Sequence, residues 1–502
     1  MAIPFKRDPV ECNQRILFPT NIFDLLQTNH ICYVYDDIFK QLDTSNIEKK
    51  YSIKGQRAYH PRLVVGILIY AYSNGIFSSR MIERKCHEEL GFMYISHMNC
   101  PNFRVLSDFR KDNSDFFKEC FKQTVLIAMQ LGLVSLGHIS LDGSKFKANT
   151  SKHKAMSYKY LKEKEKDLMG EIETLTAKAN EYDKNEDEKY DEKSGNEIPE
   201  ELKIKKTRLA KIKDAKIALE KREAKINPGE EIDDNKQISF ADKEARIMGK
   251  KGNFDYAYNG QISVDSDNQI IAGEHLSLNT NDKNEVKPGL NEIKDTTGRL
   301  PDKMSADNGY MSGDNLEELS DTQIDAYIAT GKGEKKDSRP LEDSKRDVVK
   351  SDFIYDAEKD VFVGPTDCIL ELKNEDKNGN KKYQASHDDC SNCYLKIRCC
   401  KSKKGEPRTI STDDKEPLRK EMNEKMEKKS SRDIYKKRKT IVEPVFGQIK
   451  NSGFRGFSVR GYKKAAGEFS LICAVHNLKK IIKAILIGKI CLDNLNSVSK
   501  CA

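Results

Sequence analysis

Of the 70 residues from 161 to 230, 36 are charged, with 17 Lys or Arg against 19 Asp or Glu. A stretch this polar cannot lie inside a globular core. Its few apolar residues are spaced for a helix seam: Leu168, Ile172 and Leu175 follow a 4-3 interval, and Leu202, Leu209, Ile212 and Leu219 a 7-3-7 interval. Between the two runs lies Ser194-Gly195-Asn196-Glu197-Ile198-Pro199, a helix breaker. The pattern predicts an antiparallel helical hairpin over 158–236, a solvated arm carrying no chemistry of its own. The globular fold must therefore be assembled from what lies on either side.

Those flanks read as a mixed α/β sheet. HISLD (138–142) is strand-like before the arm; after it come strand-like 261–264 and 269–272, joined by the hairpin turn Asp265-Ser266-Asp267-Asn268. Helix at 281–293, strand at 303–306, helix at 312–319 and strand at 324–329 then alternate. A helix near 441–450 and an amphipathic helix over 465–487 complete a domain built from 136–157, 237–330 and 431–490. Residues 1–135 read as a helical domain: the apolar run PRLVVGILIYAY (61–72) starts on a proline, Gly75 interrupts, Ser78 and Ser79 offer caps for a helix over 80–90, and Gly91 stops it. Residues 331–430, rich in Lys, Asp and Gly, read as an irregular insertion bearing cysteines.

No apolar run of twenty residues is present, which argues against a membrane protein. The first residues, MAIPFKRDPVECNQ, lack an apolar signal core, and thirteen scattered cysteines point to a reducing, cytoplasmic setting.

Three acids stand out by their settings. Asp142 is expected to end one strand and Asp307 another, while Glu443 opens a helix in VEPVFGQIK. Carboxylates gathered at a sheet rim repel one another, so such a trio calls for divalent cations such as Mg²⁺. Two such ions can serve phosphodiester chemistry. Singly, each acid also fits a turn or a first helical turn. The formal charge of the chain, 88 minus 80 or +8, is mild, but residues 431–464 hold ten Lys or Arg against Asp433 and Glu443. The excess is thus concentrated around Glu443. Tyr435, Phe446, Phe454, Phe457 and Tyr462 interleave with the charges, which include Arg455, Arg460 and Lys463, and the segment reads as a phosphate-binding surface. In the insertion, Cys390-x2-Cys393-x5-Cys399, with Cys368 upstream, Cys400 adjacent and His387 nearby, offers thiolates for a structural Zn²⁺ or stands as free thiols.

On these residues the chain resembles the bacterial insertion-sequence transposases with an RNase H-like DDE catalytic domain. The resemblance runs through PNFRVLSDFRK (101–111), SLDGSKFKANTSKH (140–153), AYNGQISVD (257–265), SADNGYMSGDNL (305–316) and YKKRKTIVEPVFGQIK (435–450). It implies that Asp142, Asp307 and Glu443 are a DDE triad holding two Mg²⁺ or Mn²⁺ ions, and that Tyr435, Arg438 and Lys450 lie at the DNA. Lys450 keeps the six-residue gap after Glu443; four residues separate Arg438 from Glu443 where the best-known signature has three. The implied reaction is cleavage at a transposon end followed by attack of the freed 3′-OH on target DNA. The implied partners are double-stranded DNA, both terminal inverted repeats and target, and a second copy of the chain in the DNA complex. The implied location is cytoplasmic, at the nucleoid. Within the helical domain, SRMIERKCHEEL (79–90) is the candidate groove helix. His476 and Asn477 read as structural. Two other readings compete: a metal-dependent DNA nuclease of the same fold without strand transfer, and a non-catalytic DNA-binding protein.

Overall fold

The computed structural model describes residues 21–51, 58–150, 155–187, 200–250, 253–330, 339–343, 346–356, 358–376, 379–402 and 405–490. The charged stretch forms two long helices, Tyr158–Asp187 and Glu200–Ile226. Leu161, Leu168, Ile212, Ala215 and Leu219 make a narrow seam between them, completed by Ile238. Lys216 meets Glu165 at 2.8 Å and Lys205 meets Glu171 at 3.0 Å, so one helix descends as the other climbs. At the base, a short strand β2 (Ala155–Ser157) pairs antiparallel with β3 (Gln237–Ser239), Ser157 opposite Gln237.

The main sheet has six strands. β1 (His138–Lys147) lies at its centre, antiparallel to β5 (Asn253–Asp265) and parallel to β7 (Lys303–Ala306), which is parallel to β8 (Asp325–Ile328). Along its far edge β5 pairs first with β4 (Arg246–Lys250), then with β6 (Ile271–Ser277). The β5–β6 pair is the hairpin that the Asp265–Asn268 turn predicts. The helix expected over 281–293 begins only at Val286 and runs to Thr297. Pro288 lies in its first turn, where the missing N–H has no partner to lose, so residues 281–285 are loop.

Phe146 on β1 anchors the core beneath this sheet, with the rings of Phe446, Phe454, Phe457 and Phe469 at 5.6–6.2 Å. Three of these aromatics alternate with the basic residues of 431–464. They face inward and are buried, leaving most of the cations outside; Arg438 is buried and Lys450 partly so. Asn477, with no exposure, accepts from Ile271 N–H at 2.8 Å and donates to its carbonyl at 2.9 Å. His476 donates to or accepts at Gln269 O at 2.9 Å according to its tautomer. Both are structural.

The described residues of 331–430 are not irregular. β9 (Ile354–Asp356), β10 (Val361–Val363), β11 (Ile369–Glu375), β12 (Lys381–Ala385) and β13 (Thr409–Thr412) form an antiparallel sheet in chain order. Phe353, Phe362, Leu370, Tyr383, Leu395 and Ile410 fill one face. The strands are short and their outer face carries Lys, Glu and Asn, which hides the alternation.

Two compact units result, one from the described residues of 1–113 and 482–502, the other from 114–481. The helix Ser114–Gln130 belongs to the second, where Lys118 pairs with Glu274 at 2.7 Å and Glu292 at 2.8 Å. The first unit contains helices Ile31–Phe39, Pro61–Ser73, Ser79–Glu88, Leu90–Ile95 and Phe103–Asp112. Gly91 does not stop a helix; the break falls at Glu89, and Gly91 lies in the next helix. The buried Arg110 donates to Tyr72 Oη (2.8 Å), Phe77 O (2.9 Å) and Ser79 Oγ (3.0 Å), tying three of these segments together.

Candidate active site

The register of two parallel strands builds the site. β1 and β7 pair through Ser140 and Ser305 and no further. Asp142 lies two residues beyond Ser140 and Asp307 two beyond Ser305, so strand alternation brings both acids to one face just past the end of the pairing. Asp142 does not end its strand as expected; β1 continues along β5 to Lys147. Asp307 does follow the last residue of β7, and its Oδ1 accepts Gly309 N–H at 2.7 Å.

Glu443 arrives from another direction. Three short helices in series, Lys429–Lys436, Arg438–Ile441 and Glu443–Asn451, carry Tyr435, Arg438, Glu443 and Lys450. Glu443 is the first residue of the last, with Pro444 in the first turn. The buried Arg438 guanidinium sits 2.8 Å from Asp142 Oδ2 and 3.4 Å from Glu443 Oε1, bridging the two. Lys450 Nζ donates to Ser144 Oγ at 2.5 Å, and its ammonium stands over the Phe146 ring.

The electrostatics follow from burial. Burial pushes the Asp142 carboxyl up to about 6; Arg438 pulls it back, while Asp307 and Asp282 add to the rise. Burial also raises the Tyr435 phenol, and the charges of Asp307, Asp142 and Glu443 act on it in the same direction, opposed by Arg438. It lowers the Lys450 amine, against the pull of Asp142.

A fourth acid escaped the sequence reading. Asp282 Oδ1 accepts from Asn259 Nδ2 at 2.8 Å and Gln261 Nε2 at 2.6 Å. Lys145 Nζ lies 3.9 Å from the same oxygen. The turn-rich run Thr280-Asn281-Asp282-Lys283-Asn284 after a strand is a loop signal, obscured when those residues are counted into the following helix.

Other predicted residues lie elsewhere. Arg460 Nε donates to Asn149 O at 3.0 Å, lining a cleft of about 480 Å³ with Lys147, Thr150, Ala241 and Phe457. Lys463 pairs with Asp115 at 2.8 Å on the surface, and Arg455 is exposed. Cys368, Cys390, Cys393, Cys399 and Cys400 gather around one small cavity of the second sheet. Burial raises the thiols of Cys368, Cys399 (to about 12) and Cys400. His387 is not among the residues lining that cavity.

Among the described residues no three His, Cys, Asp or Glu side chains are disposed to hold a metal ion. At the acidic centre the donor set nevertheless fits a hard cation, being carboxylate oxygen throughout. The fully buried Asn259 adds an Oδ1 without a hydrogen-bond partner. In this arrangement the positive charge on Asp142 and Glu443 comes from Arg438.

Two regions of the chain match known protein families. Residues 20–112 match a transposase domain (DUF772), and residues 366–482 match a transposase DDE domain. Both matched regions are transposase domains. More particularly, the two domains together support an insertion-sequence DDE transposase. The DDE match spans Tyr435, Arg438, Glu443 and Lys450, together with the cysteines and the last three strands of the second sheet; Asp142 and Asp307 precede it. Among curated proteins and among solved structures there is no match. No helix of the described residues is long and apolar enough to cross a membrane.

Proposed function

We propose that this chain binds the terminal inverted repeats of an insertion sequence, cleaves DNA there and joins the freed end to a target, with Asp142, Asp307 and Glu443 as the acidic triad. The observation that carries the reading is the equal two-residue offset of Asp142 and Asp307 beyond one parallel strand pair, with Glu443 joined to Asp142 through Arg438. The strand order of the sheet, with three antiparallel strands leading to a central β1 followed by two parallel ones, supports an RNase H-like fold. Mg²⁺ or Mn²⁺, when bound by these carboxylates, would polarise the phosphodiester and lower the pKa of an attacking water.

The chain's own residues do the rest. Arg438 neutralises Asp142 and Glu443 until the carboxylates take up a cation or the guanidinium takes a DNA phosphate. Lys450, held beside β1 by Ser144, places an ammonium next to Asp142 where a scissile phosphate must come. The exposed Arg455, Arg460 and Lys463 would extend that positive surface along the DNA backbone. Two transposon ends brought to one target require two copies of the chain on the DNA. The helix Ser79–Glu88 is the segment assigned to the groove of the terminal repeat.

The test is an incubation of the purified chain with Mg²⁺ or Mn²⁺, a labelled terminal-repeat duplex and a target plasmid. Joined product is expected. Cleavage without joining would instead indicate a nuclease, and binding without either would make the acids structural.

A further inference from the structure

Asp282 borders both aspartates of the centre. A Cβ added to Gly143, the residue after Asp142, would lie 2.9 Å from Asp282 Oδ1; one added to Gly309 would lie 2.9 Å from Asp307 Oδ1 and 3.5 Å from Asp282 Oδ2. The two missing side chains are what allow three carboxylates to crowd together. The two oxygens of Asp282 are treated unequally. Oδ1 is pinned by Asn259 and Gln261, both without exposure. Gln261 is itself fixed, because the buried Tyr310 hydroxyl donates to its Oε1, and Tyr310 belongs to the turn that Asp307 caps. One chain of hydrogen bonds thus ties Asp282 to the Asp307 turn. Oδ2, by contrast, accepts no hydrogen bond among the described residues, although it faces that turn. The fully buried Asn259 Oδ1, 3.0 Å from where a Gly143 Cβ would lie, has no hydrogen-bond partner; Lys145 Nζ has none either, though it stands 3.9 Å from Asp282 Oδ1.

Asp282 is partly exposed, so its Oδ2 is open to solvent or to an ion, whereas a buried amide oxygen such as Asn259 Oδ1 seldom stays unpaired. A carboxylate oxygen facing the Asp307 turn and a buried amide oxygen beside Gly143 are the kind of donors a hard cation takes. We propose that Asp282 is a fourth acid of the catalytic centre, a ligand to the divalent cation beside Asp307, with Asn259 and Gln261 as the residues that position it. The proposal rests on the metal-dependent DDE reading above.

Mn²⁺ titrated into the full DNA-free chain, with free ion followed by electron paramagnetic resonance, tests both. Asp282→Asn keeps an oxygen for the two amides and removes the charge; it is expected to weaken Mn²⁺ binding at least tenfold with an unchanged melting curve. Gln261→Met, which loosens the pinned oxygen, is expected to weaken it about tenfold. If Asp282→Asn binds like the parent while Asp307→Asn loses the ion, Asp282 merely pins its loop and the proposal falls with the DDE reading intact. If Asp142→Asn, Asp307→Asn and Glu443→Asn all bind like the parent, the DDE reading itself fails. Should Asp282→Asn not fold, unchanged binding by folded Gln261→Met overturns the proposal on its own.

Discussion

The helical arm and the acidic centre are both rich in charge, and they use it in opposite ways. In the arm, 36 of 70 residues are charged, and pairs such as Lys205–Glu171 sit at the surface of the two helices. In the centre, a few charges are taken out of water: Arg438 is buried against Asp142, and Asp142 is displaced far from its ordinary range. Charge density therefore says little about chemistry. What matters is desolvation, which multiplies the strength of each interaction and makes an unpaired group costly.

Substitutions should expose this contrast, and the largest effect falls in the centre. Asp142→Ala, Asp307→Ala or Glu443→Ala is expected to cut strand joining on the order of 10³-fold, several kcal/mol of transition-state stabilisation. The readout is product formation on a labelled terminal-repeat duplex; near-parental joining by all three would refute the assignment.

The next effect concerns the buried polar groups that support the sheet. Burial lowers His476 from 6.5 to about 4, with Gln269 O opposing the shift and Lys480 and Lys479 adding to it. The folded chain therefore resists taking up a proton that the unfolded chain accepts. Stability is full above pH 6.5 and is lost as the pH falls from there towards about 4, by about 3 kcal/mol. Denaturant melts of the second unit across that range measure it, and His476→Asn should flatten the slope.

Arg438→Gln removes the cation that bridges Asp142 and Glu443. Because Arg438 holds the Asp142 carboxyl down, its loss is expected to move the acid midpoint of DNA cleavage upward from the parent value, while activity in both proteins falls as pH drops through that midpoint. A pH profile of cleavage by the two proteins reports it; coincident midpoints would mean that Asp142 does not feel the guanidinium. The smallest effect belongs to the arm. Lys205→Ala should cost about 0.5 kcal/mol in a thermal melt and leave joining unaltered; a loss as large as in the centre would erase the distinction.

Legibility in the sequence tracks the same contrast. The arm could be read because its leucine spacing is local, and Asp307 and Glu443 because a strand end and a helix start are local events. Asp142 could be named, but its place within β1 depends on β5 continuing alongside, a pairing more than a hundred residues distant. Phe446, Phe454 and Phe457 suggested a surface because of their cationic neighbours, yet the Phe146 cluster they join is set by tertiary packing. Asp282 gave only a turn signal, since its role depends on two amides from β5. The second sheet was hidden by strands of three to seven residues.

The pairing of Ser157 with Gln237 at the foot of the arm has a consequence for variation. Among the described residues the two helices are anchored at this pairing and by Lys243 on Asp214. Whole helical turns can be gained or lost beyond these anchors in matched pairs, 5.4 Å at a time, while the ends stay one strand spacing apart. The length of the arm is thus free to drift without moving a single carboxylate of the sheet.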